Sequence, residues 1–381
     1  MRLTRREWLA AGAGALGGVA AACGPKTTPR YQGYALVANR DGRTLGVIDL
    51  SRFQLLKEVP LAMAPETVLA APDRARAFVF SSTAPFFHVA DLESMQLKSR
   101  VNLKGSFISA RVSADQRLLW VAVRDPNLLL SFDTSTGERK SRVSLPAAVD
   151  DMDLFADQVG LAASTARTVV RCDSKTGQLT SSPVLKAVPG LLRWRPDGKV
   201  LLIANTEDRS MTAVDSRTMQ PMVDLQLPLA PSQLCFNNDG GQLFVTGEGM
   251  DAVAIVSPYQ TEVNETVLAG RMPGAMAVTS AGPAYLFISN TDAAEVTVIN
   301  IDNRRVIAQI PVGQRPGPIL LTPDNEYALI LNEQSGDVAV IRLLNIRDAD
   351  LNSRRSRTAP LFTMIPIGAR PVSAAIAPRL L

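Results

Sequence analysis

The chain has 381 residues, of which 46% are hydrophobic and 20% are charged, a balance typical of a globular protein rather than a disordered or fibrous one. The net charge is +4. Three arginines and one glutamate among the first 22 residues supply +2 of it (3 − 1), so the rest of the chain carries only about +2. That charge is too small to favour nucleic-acid binding. A single histidine, His88, excludes histidine-rich metal sites and any Ser-His-Asp triad built without it.

Residues 1–22 predict an export signal rather than a membrane-spanning helix. Arg5 and Arg6 precede Trp8-Leu9, and the apolar segment that follows has only thirteen residues with few large side chains. Such a segment is too short to cross a hydrocarbon core of ~30 Å. The arginine pair resembles the twin-arginine export motif. The segment ends in three alanines before Cys23, which resembles a bacterial lipobox, and an ordinary signal peptidase site beside a cysteine is the alternative.

The lipobox resemblance implies that Cys23 is lipidated and anchors the mature chain in the lipid bilayer. The expected location is therefore the cell envelope, on the periplasmic side, after export. Residues 23–33 then form the lipidated end and a short tether, and residues 34–381 form a single domain.

The rest of the chain repeats with a period of 40 to 43 residues. Apolar runs of strand length start near residues 34, 76, 118, 158, 199, 242, 285 and 326. Dipeptides that favour turns, such as Pro72-Asp73 and Pro323-Asp324, separate the strands within each period. Four short antiparallel strands in about forty residues predict one blade of an all-β propeller.

Eight blades are favoured, and seven remain open because the fourth copy is weak. Asp150 and Asp151 stand where other copies have proline, and Gly160 lies inside its second strand. The first copy lacks a first strand, and the segment from Arg370 to Pro378 has the missing pattern. We therefore predict that the C-terminal strand completes the N-terminal blade, which removes the free sheet edge of an open ring.

This repeat resembles that of the YVTN-repeat, or YncE-like, β-propellers of bacteria and archaea. Residues 199–228 and 273–332 carry the resemblance best, through runs such as Tyr285–Asn290 and Ile310–Gly313, and it extends over 31–378. More distantly, the chain resembles the haem-binding eight-bladed propeller of cytochrome-type nitrite reductases. These resemblances imply a fold and leave function open, because one blade type hosts unrelated activities.

His88 is predicted on the third strand of the second blade, away from the channel, as a partly exposed structural side chain rather than a ligand or base. Cys172 and Cys235 fall on strands of non-adjacent blades, which favours two buried free thiols over a disulfide. We therefore predict no metal site and no cofactor. The alternative, implied by the more distant resemblance, is a haem-type cofactor.

The candidate binding site is the channel mouth, where the fourth strand of one blade leads to the first strand of the next. Arg271, Arg315 and Arg370 share a place just ahead of a proline there in three successive copies, and Asp150 and Asp151 take that place in the fourth blade. Three guanidinium groups on one rim could bind a carboxylate or a phosphate. Alternatively, the arginines only cover proline rings at soluble strand ends.

The last copy carries an insertion at 343–361 with a basic segment, Ser353–Arg357, on the face opposite the mouth. It is either a loop that docks a partner or a solvated run of charge. The leading hypothesis is a membrane-tethered, non-catalytic scaffold that binds an envelope protein or a small anion at the mouth. A cofactor-linked enzyme or cofactor-assembly protein is the alternative.

Overall fold

A computed structural model describes residues 31–346 and 359–379. In these ranges, 32 strands form eight four-stranded antiparallel sheets in a ring, the arrangement of an eight-bladed β-propeller. The predicted all-β fold is therefore confirmed. Arg5, Arg6, Cys23 and the basic segment at 353–357 lie outside the described residues.

Blades are numbered from the N-terminus, with strands in chain order. Blade 1 contains β1 (Gly33–Asn39), β2 (Thr44–Asp49), β3 (Gln54–Pro60) and the C-terminal β32 (Pro371–Pro378). Blades 2 to 4 contain β4 (Thr67–Ala71), β5 (Arg76–Phe80), β6 (Phe86–Asp91), β7 (Gln96–Asn102); β8 (Ser106–Val112), β9 (Leu118–Arg124), β10 (Leu128–Asp133), β11 (Arg139–Ser144); β12 (Asp151–Phe155), β13 (Gln158–Ala163), β14 (Thr168–Asp173) and β15 (Leu179–Ser181). A 3₁₀ turn, Pro72–Arg74, follows β4.

Blades 5 to 8 continue the pattern without a break. Their strands are β16 (Leu191–Trp194), β17 (Val200–Asn205), β18 (Ser210–Asp215), β19 (Pro221–Gln226); β20 (Ala230–Phe236), β21 (Leu243–Glu248), β22 (Ala252–Ser257), β23 (Glu262–Leu268); β24 (Pro273–Val278), β25 (Tyr285–Asn290), β26 (Glu295–Asn300), β27 (Arg305–Pro311); β28 (Pro316–Leu321), β29 (Tyr327–Asn332), β30 (Asp337–Arg342) and β31 (Leu361–Pro366).

The second strand of every blade begins within one residue of its predicted start. These strands are apolar on both faces because each blade packs against a neighbour on either side, and β17 is buried at all six residues. Outer strands face solvent instead, and only one of the seven residues of β3 is buried. The core therefore lies between blades, and the apolar run is the most reliable element of the sequence pattern.

The fourth copy is a true blade, which decides eight blades over seven. Its unusual Gly160 has a steric reason. A Cβ atom at this position would lie 2.9 Å from the Leu201 side chain and 3.2 Å from Trp194 Nε1, both in blade 5. Glycine therefore leaves room for the large side chains of the next blade.

The ring is closed by its two chain ends. β32 pairs antiparallel with β1, with Tyr34 opposite Ala377 and Val37 opposite Ala374. Blade 1 thus takes its inner strand from the C-terminus and its other three strands from the N-terminus. The closure prediction is confirmed, and no blade is left with three strands.

Because the strands alternate in direction, the loops fall into two sets. Connections from second to third strands, and from each blade to the next, lie at one end of the ring, the mouth. Those from first to second and from third to fourth strands lie at the opposite end. The insertion after β30 belongs to this opposite end, where Leu343 and Ile346 are buried in a helical turn, 343–346. Within 31–346 and 359–379, no helix is long and apolar enough to cross a membrane.

Candidate functional site

Two of the predicted arginines meet in a cavity at the mouth, between blades 8 and 1. The cavity has a volume of about 660 Å³, and Arg315 and Arg370 line it together with Asp41, Glu333 and Ser335. Arg315 precedes the inner strand of blade 8, and Arg370 precedes that of blade 1. The volume falls within the range of small-molecule sites.

The ion pairs between the charged groups of this cavity are long. Glu333 Oε2 lies 3.7 Å from Arg370 Nε and 3.9 Å from Arg315 Nε, and Asp41 Oδ1 lies 3.9 Å from Arg370 Nη1. These distances exceed those of hydrogen bonds, which run to about 3.2 Å for N–H···O. The side chains of Arg315 and Arg370 are 61% and 42% exposed. Both guanidinium groups therefore keep N–H donors available to a ligand.

Arg271 does not line this cavity, because it occupies a different position in its loop. Arg315 and Arg370 have positive φ angles of 54° and 58°, and the residue of blade 7 with the same geometry is Met272, at 54°. The carbonyl oxygens of all three accept an N–H from the residue that follows the second strand of the same blade. Arg271 is thus one residue early, equivalent to Gln314 in blade 8. Counting back from the proline in the sequence would have shown this offset.

Asp150 lies at the mouth of blade 4, across the ring from the cavity. Its Oδ1 is 3.3 Å from Arg124 Nη2, and its Oδ2 accepts the backbone N–H of Ser164 at 2.7 Å. Both carboxylate oxygens thus have protein partners. The pair with Arg124 joins the loops of blades 3 and 4.

Asp151 begins the inner strand of blade 4 and is 8% exposed. Its Oδ1 lies 3.3 Å from Arg111 Nη2 in blade 3, and its Oδ2 lies 2.8 Å from Arg193 Nη1 in blade 5. The same Oδ2 accepts the backbone N–H of Leu192 at 3.1 Å. One carboxylate therefore connects the inner strands of three consecutive blades, which the sequence reasoning missed.

Asp153 repeats this contact two residues further along β12. It accepts the backbone N–H of Trp194 at 2.9 Å, so two carboxylates of one inner strand bind two amides of the next. An inner strand has one edge without a strand partner, and these carboxylates satisfy donors on that edge. Burial raises the pKa of Asp153 above its usual range and lowers the pKa of Arg111. The arrangement fits a structural role for the pair of carboxylates.

His88 lies on β6, the third strand of blade 2, as predicted, but it is buried rather than partly exposed. Its ring is 2% exposed and packs edge-on against Phe86 at 5.3 Å. Burial, and then the charge of Arg100, lower the pKa of His88. The prediction of partial exposure was wrong because His88 shares a strand face with Phe86 and Ala90, which pack against blade 1.

Cys172 and Cys235 are both free thiols, Cys172 buried and Cys235 partly buried. Burial raises the pKa of each thiol to about 11, which keeps both protonated and unreactive at neutral pH. Among residues 31–346 and 359–379, no three histidine, cysteine, aspartate or glutamate side chains come together in a way that could hold a metal ion.

No family model matches the chain. A stretch of 112 residues is 27% identical to the seven-bladed beta-propeller protein Rv1057 of Mycobacterium tuberculosis, and it spans 28% of this chain and 28% of that protein. Among solved structures, the chain is similar to the dihydro-heme d1 dehydrogenase NirN in complex with DHE. The TM-score is 0.75 at 13% identity, over 90% of this chain and 74% of NirN.

A second solved structure, the hydrazine synthase of Kuenenia stuttgartiensis, gives a TM-score of 0.56 at 17% identity. That match covers 86% of this chain and 99% of the synthase chain. At such identities the likeness shows the β-propeller fold and carries no information on activity.

Proposed function

We propose that this protein is a membrane-tethered propeller of the cell envelope, related to the YVTN-repeat family, which binds a small anion at the channel mouth without catalysis. The anion binds in the cavity between blades 8 and 1, and lipid on Cys23 supplies the tether. The single observation that carries the binding site is the meeting of Arg315 and Arg370, from adjacent blades, in one cavity of about 660 Å³.

The two guanidinium groups of the cavity are balanced by the carboxylates of Asp41 and Glu333, so anion binding relies on the hydrogen-bond donors of the arginines and not on net charge. Arg315 and Arg370 share the Glu333 carboxylate only at 3.7 to 3.9 Å, so a carboxylate or phosphate placed between them gains shorter, charge-assisted hydrogen bonds. A planar guanidinium presents paired donors that match both groups. Ser335 supplies a hydroxyl to the lining, and no histidine lines the cavity to act as its base, so the proposal assigns binding to this site.

The alternative is a haem-type cofactor, suggested by the similarity to NirN. The residues of this chain do not fit a haem ligated through histidine at the mouth. His88 is 2% exposed, packs against Phe86 and lies on a third strand rather than on the channel wall. The anion-binding proposal needs no such ligand.

The binding proposal is tested by calorimetric titration of the purified protein with inorganic phosphate and with citrate at low ionic strength. The Arg315→Gln/Arg370→Gln variant loses at least about tenfold in affinity, because charge-assisted hydrogen bonds are removed. Arg271→Gln is the matched control and binds as the parent does. Equal affinities in all three proteins, or no binding by the parent, would refute the site.

The tether is tested separately by membrane fractionation of cells that produce the protein. Cys23→Ser is expected to release the propeller from membranes in folded form, because lipid supplies the anchor. Retention of this variant on membranes after a high-salt wash would show that another contact holds it there.

A further inference from the structure

The outer strand of seven blades carries a β-bulge at one equivalent position. Two successive pairs of the ladder skip one residue there, as at Leu56 in β3. Six of the seven skipped side chains are exposed on the outer wall of the ring, and Ile307 is half-buried against the core between blades 7 and 8. The seven residues at this position, from blade 1 onward with blade 4 omitted, are Leu56, Lys98, Lys140, Met222, Asn264, Ile307 and Phe362.

Three consecutive blades place an apolar residue at this bulge, and their neighbours on either side place polar ones. Ile307, Phe362 and Leu56 follow one another around blades 7, 8 and 1, between Asn264 of blade 6 and Lys98 of blade 2. The same three outer strands expose five large apolar side chains in all, two of them at the bulge itself. These are Phe362 (42% exposed), Leu56 (55%), Leu55 (37%), Val306 (40%) and Met364 (40%).

This apolar wall is continuous with an aromatic cluster at the end of the ring opposite the mouth. The Phe362 ring lies 5.4 Å from that of Phe53, which lies 4.6 Å from that of Tyr327. Tyr31, the first described residue of the chain, packs into the same cluster. The chain therefore enters the propeller directly beside the exposed apolar residues.

We propose that the outer wall of blades 7, 8 and 1, centred on Phe362 and Leu56, rests on the lipid bilayer next to the tether. This proposal rests on the proposed membrane tethering and adds the orientation of the propeller. Seven residues lie between Cys23 and Tyr31, so even a fully extended tether of eight Cα–Cα steps reaches only about 29 Å. A surface at the end of so short a tether meets the bilayer at high effective concentration.

The composition of the patch agrees with a lipid surface. Large exposed apolar patches mark interaction sites, and Phe and Leu are among the side chains that interfacial amphipathic helices bury at the bilayer surface. In this orientation the ring meets the membrane at the edge where the chain enters, and the cavity at the opposite end of the blades stays open to solvent.

The test places a tryptophan at each of two equivalent bulges. Phe362→Trp lies in the patch, and Met222→Trp lies three blades away, about 135° around the ring, at a site that is 58% exposed. Each lipidated protein is reconstituted into vesicles of phosphatidylcholine whose chains carry bromine, which quenches nearby tryptophans. Trp120 and Trp194 are buried in the propeller, and their signal is subtracted with the parent protein.

We expect the Phe362→Trp emission to lose intensity and shift to shorter wavelength on brominated vesicles, while the Met222→Trp emission stays unchanged. No quenching at position 362 would overturn the proposal. Equal quenching at both positions would also overturn it, because the blades would then meet lipid without preference.

Two separate measurements distinguish a protein that lacks the lipid from a patch that does not contact the bilayer. Mass spectrometry of the native protein reports the lipid on Cys23 directly. If the lipid is absent, the chain from Cys23 onward is coupled through this thiol to maleimide-bearing vesicles and the same quenching is measured. The other two thiols stay protonated at neutral pH and react slowly. The contact between the patch and lipid is then tested with a maleimide bond, in place of the lipid, attaching the chain to the vesicle.

Discussion

Arg193 Nη1 lies 2.8 Å from Asp151 Oδ2, and this contact joins the inner strands of blades 4 and 5. The same carboxylate reaches Arg111 in blade 3. We expect Asp151→Asn to lower the free energy of unfolding by about 2 kcal/mol, because the guanidinium groups of Arg111 and Arg193 lose their counter-charge. Both groups are partly exposed to water, which keeps the loss below that of a fully buried ion pair. Urea denaturation followed by circular dichroism measures this change.

Asp150→Asn is the matched control for that variant. Its pair with Arg124 involves side chains that are 35% and 41% exposed, so the expected loss stays below about 1 kcal/mol. Equal losses in the two neighbouring variants would contradict the bridging role assigned to Asp151.

Acid destabilisation should depend on Asp173, which accepts backbone N–H bonds from Thr176 and Lys175 and a side-chain bond from Gln158. These bonds lower its pKa from 3.8 to about 2. The unfolded chain therefore binds more protons than the folded one between these values, so the stability from this group is present above pH 4 and is lost toward pH 2.

The Asp173→Asn variant tests this linkage. Its melting temperature should fall below that of the parent at pH 6, and the difference should shrink as the pH approaches 2. Melting curves across this range provide the measurement. A difference that stays constant with pH would show that the Asp173 carboxylate does not contribute through its ionisation.

Deletion of residues 369–381 removes β32 and should destabilise the whole ring. β1 would lose the seven paired residues of its inner neighbour and expose a free edge. We expect a lower melting temperature and aggregation, detected by light scattering after size-exclusion chromatography. A truncated chain that stays monomeric and melts as the parent does would show that the ring is stable without its closing strand.

Much of this architecture could be predicted from the sequence because each blade repeats the same apolar run. The starts of the second strands and the closing role of Arg370–Pro378 follow from the repeat alone. Arg271 was grouped with Arg315 and Arg370 although it stands two residues before its proline and not one. The residue with positive φ directly precedes the proline in all three blades, and in blade 7 that residue is Met272.

Contacts between blades were harder to predict. Arg111, Asp151 and Arg193 are separated by 40 and 42 residues, which is one blade period each time. Equivalent positions in adjacent blades lie side by side, so this spacing was the available signal. A comparison of opposite charges one blade period apart reveals the contact, whereas the position of Asp151 at the start of an inner strand indicates only that it lies near the mouth.

The most direct test of the anion site is a double-mutant cycle on Arg315 and Arg370, with phosphate affinity measured for the parent, Arg315→Gln, Arg370→Gln and the double variant. If both guanidinium groups hold one anion, each single variant binds more weakly and the double variant loses less than the sum, by about 0.5 kcal/mol or more. Strictly additive losses would mean that the two arginines act independently, and unchanged affinities in all variants would contradict the site altogether.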